Sequence, residues 1–366
     1  MTPAASDAVW QQEPLCGSRL QPRHKASTID PASAAEVPNL TLPHRLVPAT
    51  PAAGTNSVPV CMLVLISLAA VACWPAQPAA VPPPQSSPLE FIDQWGVRGE
   101  GPGELAEPVG LAADLNGRVY LADRRTGLLQ KFEPSGVPLF SFEDRAVRGA
   151  SSIAVDSGGA IYVADVRVGR ISIYFPDGDL LRNFRVAPQR VDAGLFGFCV
   201  AADGTVFVPD PDGGRVQAFR PNGRLERVWR LPPGSTGEPA RPVAVAAGLD
   251  EFVYVGDAWT GRILKYTRQG AQVTVWDAPA DAAAPLQGIA VSRSHLFALR
   301  GATPQPPQLE VWKLDGQRIL TDALGSRLDA SPAGTLYLAA SHDEQVFLLD
   351  PAQPRVLHFR LRLPTP

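Results

Sequence analysis

Three segments of the chain are versions of one phrase: GRVYLADRRTGLLQKFEPSG at 117–136, GAIYVADVRVGRISIYFPDG at 159–178 and GTVFVPDPDGGRVQAFRPNG at 204–223. Each reads as an alternating strand, a short polar turn, a second alternating strand and a turn closed by glycine. The residue ending the first of these strands is Asp123, Asp165, Asp210 and Asp257, with Arg300 and Ala340 as the equivalents in two degenerate copies. The spacings are 42, 45, 47, 43 and 40 residues. A period of about 43 residues suits a small four-stranded sheet and is too long for leucine-rich or ankyrin units. One such sheet has two apolar faces and cannot bury both, whereas several stacked radially bury every face but the outermost edges.

The sequence therefore predicts an all-β chain, a six-bladed β-propeller of four-stranded antiparallel blades over residues 89–366. The inner strands fall at 110–114, 153–156, 197–201, 243–247, 288–291 and 327–330, and the outer ones at 139–142, 180–184, 227–231, 273–276, 318–320 and 356–361. A further outer-type strand, 91–95, precedes the first full copy. Propellers remove the exposed edge by pairing first and last blades. The reading favours the N-terminal strand as the closing one, with 356–361 beside it or displaced.

The phrases VGLAAD (109–114) and SSIAVD (151–156), the VYLAD and IYVAD strands, and the turns GRI or GRV at 169–171, 214–216 and 261–263 resemble the NHL family of six-bladed propellers. The segment FIDQWGVRGEGPGELAEP (91–108) resembles the leading part of bacterial envelope "6-bladed beta-propeller" proteins related to NHL repeats. The resemblance covers roughly 89–363 and implies a fold without a single activity. The Asn-His-Leu triplet occurs in no copy.

A net charge of −3 gives no reason to expect nucleic acid, and only Lys25, Lys131, Lys265 and Lys313 among 33 basic residues are lysines. Residues 1–56, rich in Ala, Pro, Ser and Thr, read as a disordered extension. The segment 57–74 contains the apolar run VCMLVLISLAAVACW (60–74), fifteen residues long. That is short for a membrane span of about 20 residues and fits a secretory signal core. Its nearest upstream basic residue is Arg45, so either translation starts near the run or the extension is unusually long. The ending Ala70-Val71-Ala72-Cys73 resembles a bacterial lipobox, which makes Cys73 the lipidation candidate, with plain signal cleavage as the alternative. Removal of residues before Cys73 leaves only Cys73 and Cys199, the latter a buried inner-strand residue on this reading. Residues 75–88 read as a Pro-rich tether.

Chemistry on a propeller sits on loops converging near the axis. The repeated aspartates read as turn caps, because a strand-ending Asp accepts the amides of a tight turn. Residues that break the repeat are better ligand-binding candidates: Trp259 and Arg300 in the second-to-third turns, with Arg124, Arg167 and Arg241 as a basic rim for a carboxylate, phosphate or acidic glycan. Peptidyl-hydroxyglycine lyases resemble the chain in repeat type but hold zinc with several histidines. Beyond residue 73 there are only His295, His342 and His358, at unrelated positions of the repeat. Propeller lactonases of the gluconolactonase type use a Glu, Asn and Asp set around calcium, and Glu107, Asp192, Glu238 and Asp281 form no comparable set. The expectation is an exported, membrane-tethered, monomeric scaffold that binds a protein, peptide or glycan without chemistry, cofactor or metal. The alternative is a metal-dependent lyase or lactonase.

Overall fold

The computed structural model describes residues 27–28, 88–186, 197–278, 284–302, 305–326, 328 and 336–363. The extension apart from 27–28, the apolar segment, Cys73 and nearly all of the tether lie outside the described residues. Six four-stranded antiparallel blades make up the domain. A two-residue strand β1 (Ser27–Thr28) adds to the outer edge of the first blade.

Blade one is β3 (Pro108–Ala113), β4 (Val119–Asp123), β5 (Leu128–Phe132) and β6 (Pro138–Glu143). Blade two is β7 (Ser152–Val155), β8 (Ile161–Asp165), β9 (Arg170–Tyr174) and β10 (Leu180–Arg185). Blade three is β11 (Cys199–Val200), β12 (Val206–Asp210), β13 (Arg215–Phe219) and β14 (Leu225–Arg230). Blade four is β15 (Pro242–Ala247), β16 (Phe252–Asp257), β17 (Ile263–Thr267) and β18 (Gln272–Trp276). Blade five is β19 (Leu286–Val291), β20 (His295–Ala302), β21 (Gln305–Lys313) and β22 (Arg318–Ala323). Blade six takes β23 (Tyr337–Ala340), β24 (Gln345–Asp350) and β25 (Arg355–Leu361) from the C-terminal end, and β2 (Leu89–Trp95) from the other end as its outer strand.

The N-terminal strand thus closes the ring beside the C-terminal one, in the favoured arrangement. The sixth copy, however, is displaced by one strand from the sequence reading. Its inner strand is β23 and not 327–330, and its second strand ends at Asp350 and not at Ala340. Asp350 Oδ1 accepts the amides of Ala352 and Gln353, as the earlier aspartates do in their own turns.

Residue choice follows position in the blade. Inner strands crowd the axis and are built from small residues, as in PVGLAA and PVAVAA. Second strands have blades against both faces, so VYLAD and VFVPD are buried at every residue. The hydrophobic core is accordingly distributed among the interfaces between neighbouring blades. One cluster joins Tyr120, Leu129 and Phe142 of blade one to Ile153 and Tyr174 of blade two, and another joins Phe207 and Trp229 of blade three to Val253 and Tyr266 of blade four.

A repeated contact sets the blade spacing. Trp95, Phe142, Phe184, Trp229 and Trp276, each on an outer strand, lie over Gly136, Gly178, Gly223, Gly270 and Gly316 in the third-to-fourth turn of the next blade. Gly178 and Gly270 have φ of 91° and 83°, and a Cβ on them would approach the Phe142 and Trp229 rings to 2.8 and 2.9 Å. Glycine here serves both the left-handed turn and the close approach of the ring.

Candidate functional site

In an up-and-down blade the second-to-third turn and the connection to the next blade share one end. The buried aspartates tie these two parts together. Asp257 Oδ1 accepts the amide of Arg241, which leads into β15, and that of Trp259 in its own turn, while Oδ2 accepts from Thr260 Oγ1 at 2.6 Å and Arg262 Nη2 at 3.2 Å. Asp123 does the same in blade one, its Oδ2 taking the amides of Ala106 and Glu107 and its Oδ1 that of Thr126. Every partner of these carboxylates is part of the scaffold, so their role is to fix the loop face.

That fixing presents Trp259, 62% exposed on a turn whose other residues are buried or half-buried. The indole borders a cleft of about 560 Å³ between blades three and four, lined by Pro211, Asp212, Arg230, Pro239 and Arg241 among others. Arg230 is held by its Nη1 donating to the Gly213 carbonyl at 2.9 Å and has no carboxylate partner among the described residues. The Arg241 guanidinium has no hydrogen bond or ion pair among the described residues. An aromatic plate in one cleft with two guanidiniums and a rim of prolines offers a flat apolar contact and an anion contact to the same ligand.

The structure brings Trp259 and Arg241 to one cleft and leaves the other three arginines elsewhere. Arg124 belongs to blade one, where Nε and Nη2 donate to the Ala150 carbonyl and Nη1 lies 3.6 Å from Glu107. Arg167 sits beside Asp165 at 3.8 Å in blade two. Arg300 corrects the sequence reading: it is 1% exposed and lies within β20, paired with Gln308 of β21. Its Nε lies 2.9 Å from Glu310, itself fully buried, and its Nη2 donates to the Gly261 carbonyl at 2.8 Å. Arg300 therefore supports the Trp259 turn from the neighbouring blade. Arg230, which sequence reasoning missed, closes an outer strand and looked like part of the sheet edge.

The axial channel, about 180 Å³, is walled by the inner strands, with Ser152, Cys199, Gln287 and Tyr337 among its lining. Cys199 is half-buried in the channel wall and not fully buried as the sequence suggests, and desolvation pushes its thiol up to about 12, so it is protonated at neutral pH. Burial also raises the Tyr337 hydroxyl to about 12, against the lowering effect of Arg124. Gln287 Nε2 donates to the Gly301 carbonyl.

His342, read in sequence as part of a loop-face turn, lies with Glu344 in the first-to-second turn of blade six, at the opposite end of the blades. Glu344 there meets His295 Nδ1 at 3.0 Å and Ser292 Oγ at 2.7 Å. His358, on β25, has Nδ1 3.2 Å from Asp93 and Nε2 2.8 Å from Gln345 Oε1. Among the described residues no three His, Cys, Asp or Glu side chains converge as a metal-binding group would require.

No family model and no curated protein matches the chain. Among solved structures it is similar to a streptogramin B lyase, with a TM-score of 0.50 and 14% identity over 74% of this chain and 98% of that one. It is also similar to a catalytically inactive virginiamycin B lyase from Staphylococcus aureus with quinupristin, with a TM-score of 0.50 and 13% identity over 75% of this chain and 89% of that one. What is shared is the propeller. At this identity the likeness carries the fold and no residue roles.

Proposed function

We propose that this propeller is a binding scaffold that takes an anionic ligand, on a protein, peptide or glycan, in the cleft between blades three and four. The observation that carries the reading is Trp259, exposed on a capped turn in one cleft with Arg230 and with Arg241, whose guanidinium has no partner among the described residues. Trp259 offers stacking area, the arginines offer charge-assisted hydrogen bonds, and the capped turns hold both in place before the ligand arrives, which limits the ordering cost of binding. Export and tethering at a bacterial membrane belong to the same proposal, supported by the apolar run 60–74 and by Cys73 after small residues. An array of acidic peptides and oligosaccharides probed with the full chain tests the site: binding abolished by Trp259→Ala and Arg241→Ala supports it, and binding indifferent to both refutes it.

The second reading is a metal-dependent lyase or lactonase. It draws on the names of the two similar solved propellers, both lyases. Calcium and zinc titrations of the purified protein separate the two readings, because stoichiometric metal coupled to turnover favours the enzyme and ligand retention without turnover favours the scaffold.

A further inference from the structure

Trp259 borders two hollows. The one toward blade three is the cleft above, where two guanidiniums face a single carboxylate, that of Asp212. The other, about 410 Å³, is lined by Thr236 and Glu238 of the connection from blade three to blade four and by Thr260, Arg262 and Asp277 of blade four and its exit, besides the indole. Arg262 adds little positive charge there, because it lies 3.2 Å from the carboxylate of Asp257, which is fully buried, and donates to the carbonyls of Pro232 and Pro233. The carboxylates facing the hollow are Glu238, which accepts from Thr236 Oγ1, and Asp277, exposed and without a partner among the described residues. The Thr236 hydroxyl holds the Glu238 carboxyl below its usual range, so it is an anion at neutral pH.

Trp259 thus lines both a cationic hollow and an anionic one. We infer that the ligand of this face is dipolar, with an anionic group toward Arg230 and Arg241, a cationic group toward Glu238 and Asp277, and its body lying across Trp259. This rests on the binding site proposed above and narrows its ligand class. A uniformly acidic chain crossing Trp259 would meet Glu238 and Asp277 at close range, and juxtaposed like charges act against such a partner. A cation approaching the second hollow gains from the carboxylates and from the indole face as well. Screening over about 8 Å at physiological salt confines the effect to groups this near, so the charge of distant blades does not decide it.

The test is isothermal calorimetry of the full chain with three probes, hexaglutamate, hexalysine and an alternating Glu-Lys hexapeptide. The alternating peptide is expected to bind at least about tenfold tighter than hexaglutamate, a difference of about 1.4 kcal/mol. The double variant Glu238→Lys, Asp277→Lys should erase that preference and strengthen hexaglutamate, while Trp259→Ala should weaken all binding. Equal affinity of wild type for hexaglutamate and the alternating peptide, unchanged by the double variant, overturns the dipolar ligand and leaves the Trp259 site standing. Binding of the alternating peptide that is indifferent to Trp259→Ala overturns both.

Discussion

Trp95→Ala removes the side chain that joins the two ends of the ring. Trp95 sits on β2, the outer strand of blade six, and its ring lies 4.9 Å from that of Phe132 in blade one, tilted by 34°. Its Nε1 donates to the Pro134 carbonyl at 3.0 Å, and its ring covers Gly136 so closely that no Cβ fits there. A fully buried aromatic truncated to Ala costs about 3–5 kcal/mol; half-burial of Trp95 reduces this to about 2. Loss of the indole hydrogen bond adds about 1 kcal/mol. The expected loss of about 2–3 kcal/mol is large against a domain stability of about 5–15 kcal/mol. Urea unfolding followed by far-UV circular dichroism measures it, with Ile92→Ala as the control on the same strand. Ile92 is 40% exposed and Phe91 39%, so neither is the deeply buried residue that an apolar closing strand implies from sequence. Ile92→Ala should cost well under about 1 kcal/mol. A midpoint unchanged by Trp95→Ala, or shifted equally by the two variants, would refute the idea that this indole secures the closure.

Asp257→Ala should destabilise by about 3–5 kcal/mol, since it leaves Arg262 without its carboxylate and removes the turn cap, whereas Trp259→Ala should stay within about 0.5 kcal/mol; thermal melts of both variants check the contrast. Arg300→Ala should cost less than the about 3–5 kcal/mol of breaking an isolated buried pair, because Arg318 Nη1, 3.5 Å from Glu310, still faces the buried carboxylate, whereas Glu310→Leu strips both Arg300 and Arg318 of that carboxylate and should cost the full about 3–5 kcal/mol; urea unfolding of the two variants measures the contrast. The raised Cys199 thiol predicts that iodoacetamide at pH 8 leaves Cys199 unmodified in the native protein and alkylates it in denaturant, as peptide mass mapping would show.

The period of about 43 residues exposes the architecture because the same aspartate and glycine turns recur wherever a blade needs them. Legibility fails where the chain departs from contiguous blades. Blade six draws its outer strand from residues 89–95, so the last copy contains only three strands, and a reader seeking four pushes the inner strand back to 327–330. The same displacement moves His342 to the wrong end of the blade. Arg300 reads as a loop residue because its partner Glu310 is visible only in the β20–β21 register, where Arg300 faces Gln308 and Glu310 faces Ala298. Trp259 and Arg241 were accessible to sequence reasoning since topology alone sends both to one face. Arg230 was not, because nothing in RVWR separates the last residue of an edge strand from the lip of a cleft.

At the seam of blade six, Arg362 donates its amide to the Pro88 carbonyl at 2.7 Å, in the place where the other blades have their third-to-fourth turn. That turn belongs to the end of the ring opposite Trp259. Pro88, at the start of β2, therefore lies at the back of the disc, the face opposite the Trp259 cleft. It also means that a short linker from residue 362 to residue 88 would restore the missing hairpin, allowing the ring to be opened at another turn without changing which strands neighbour one another.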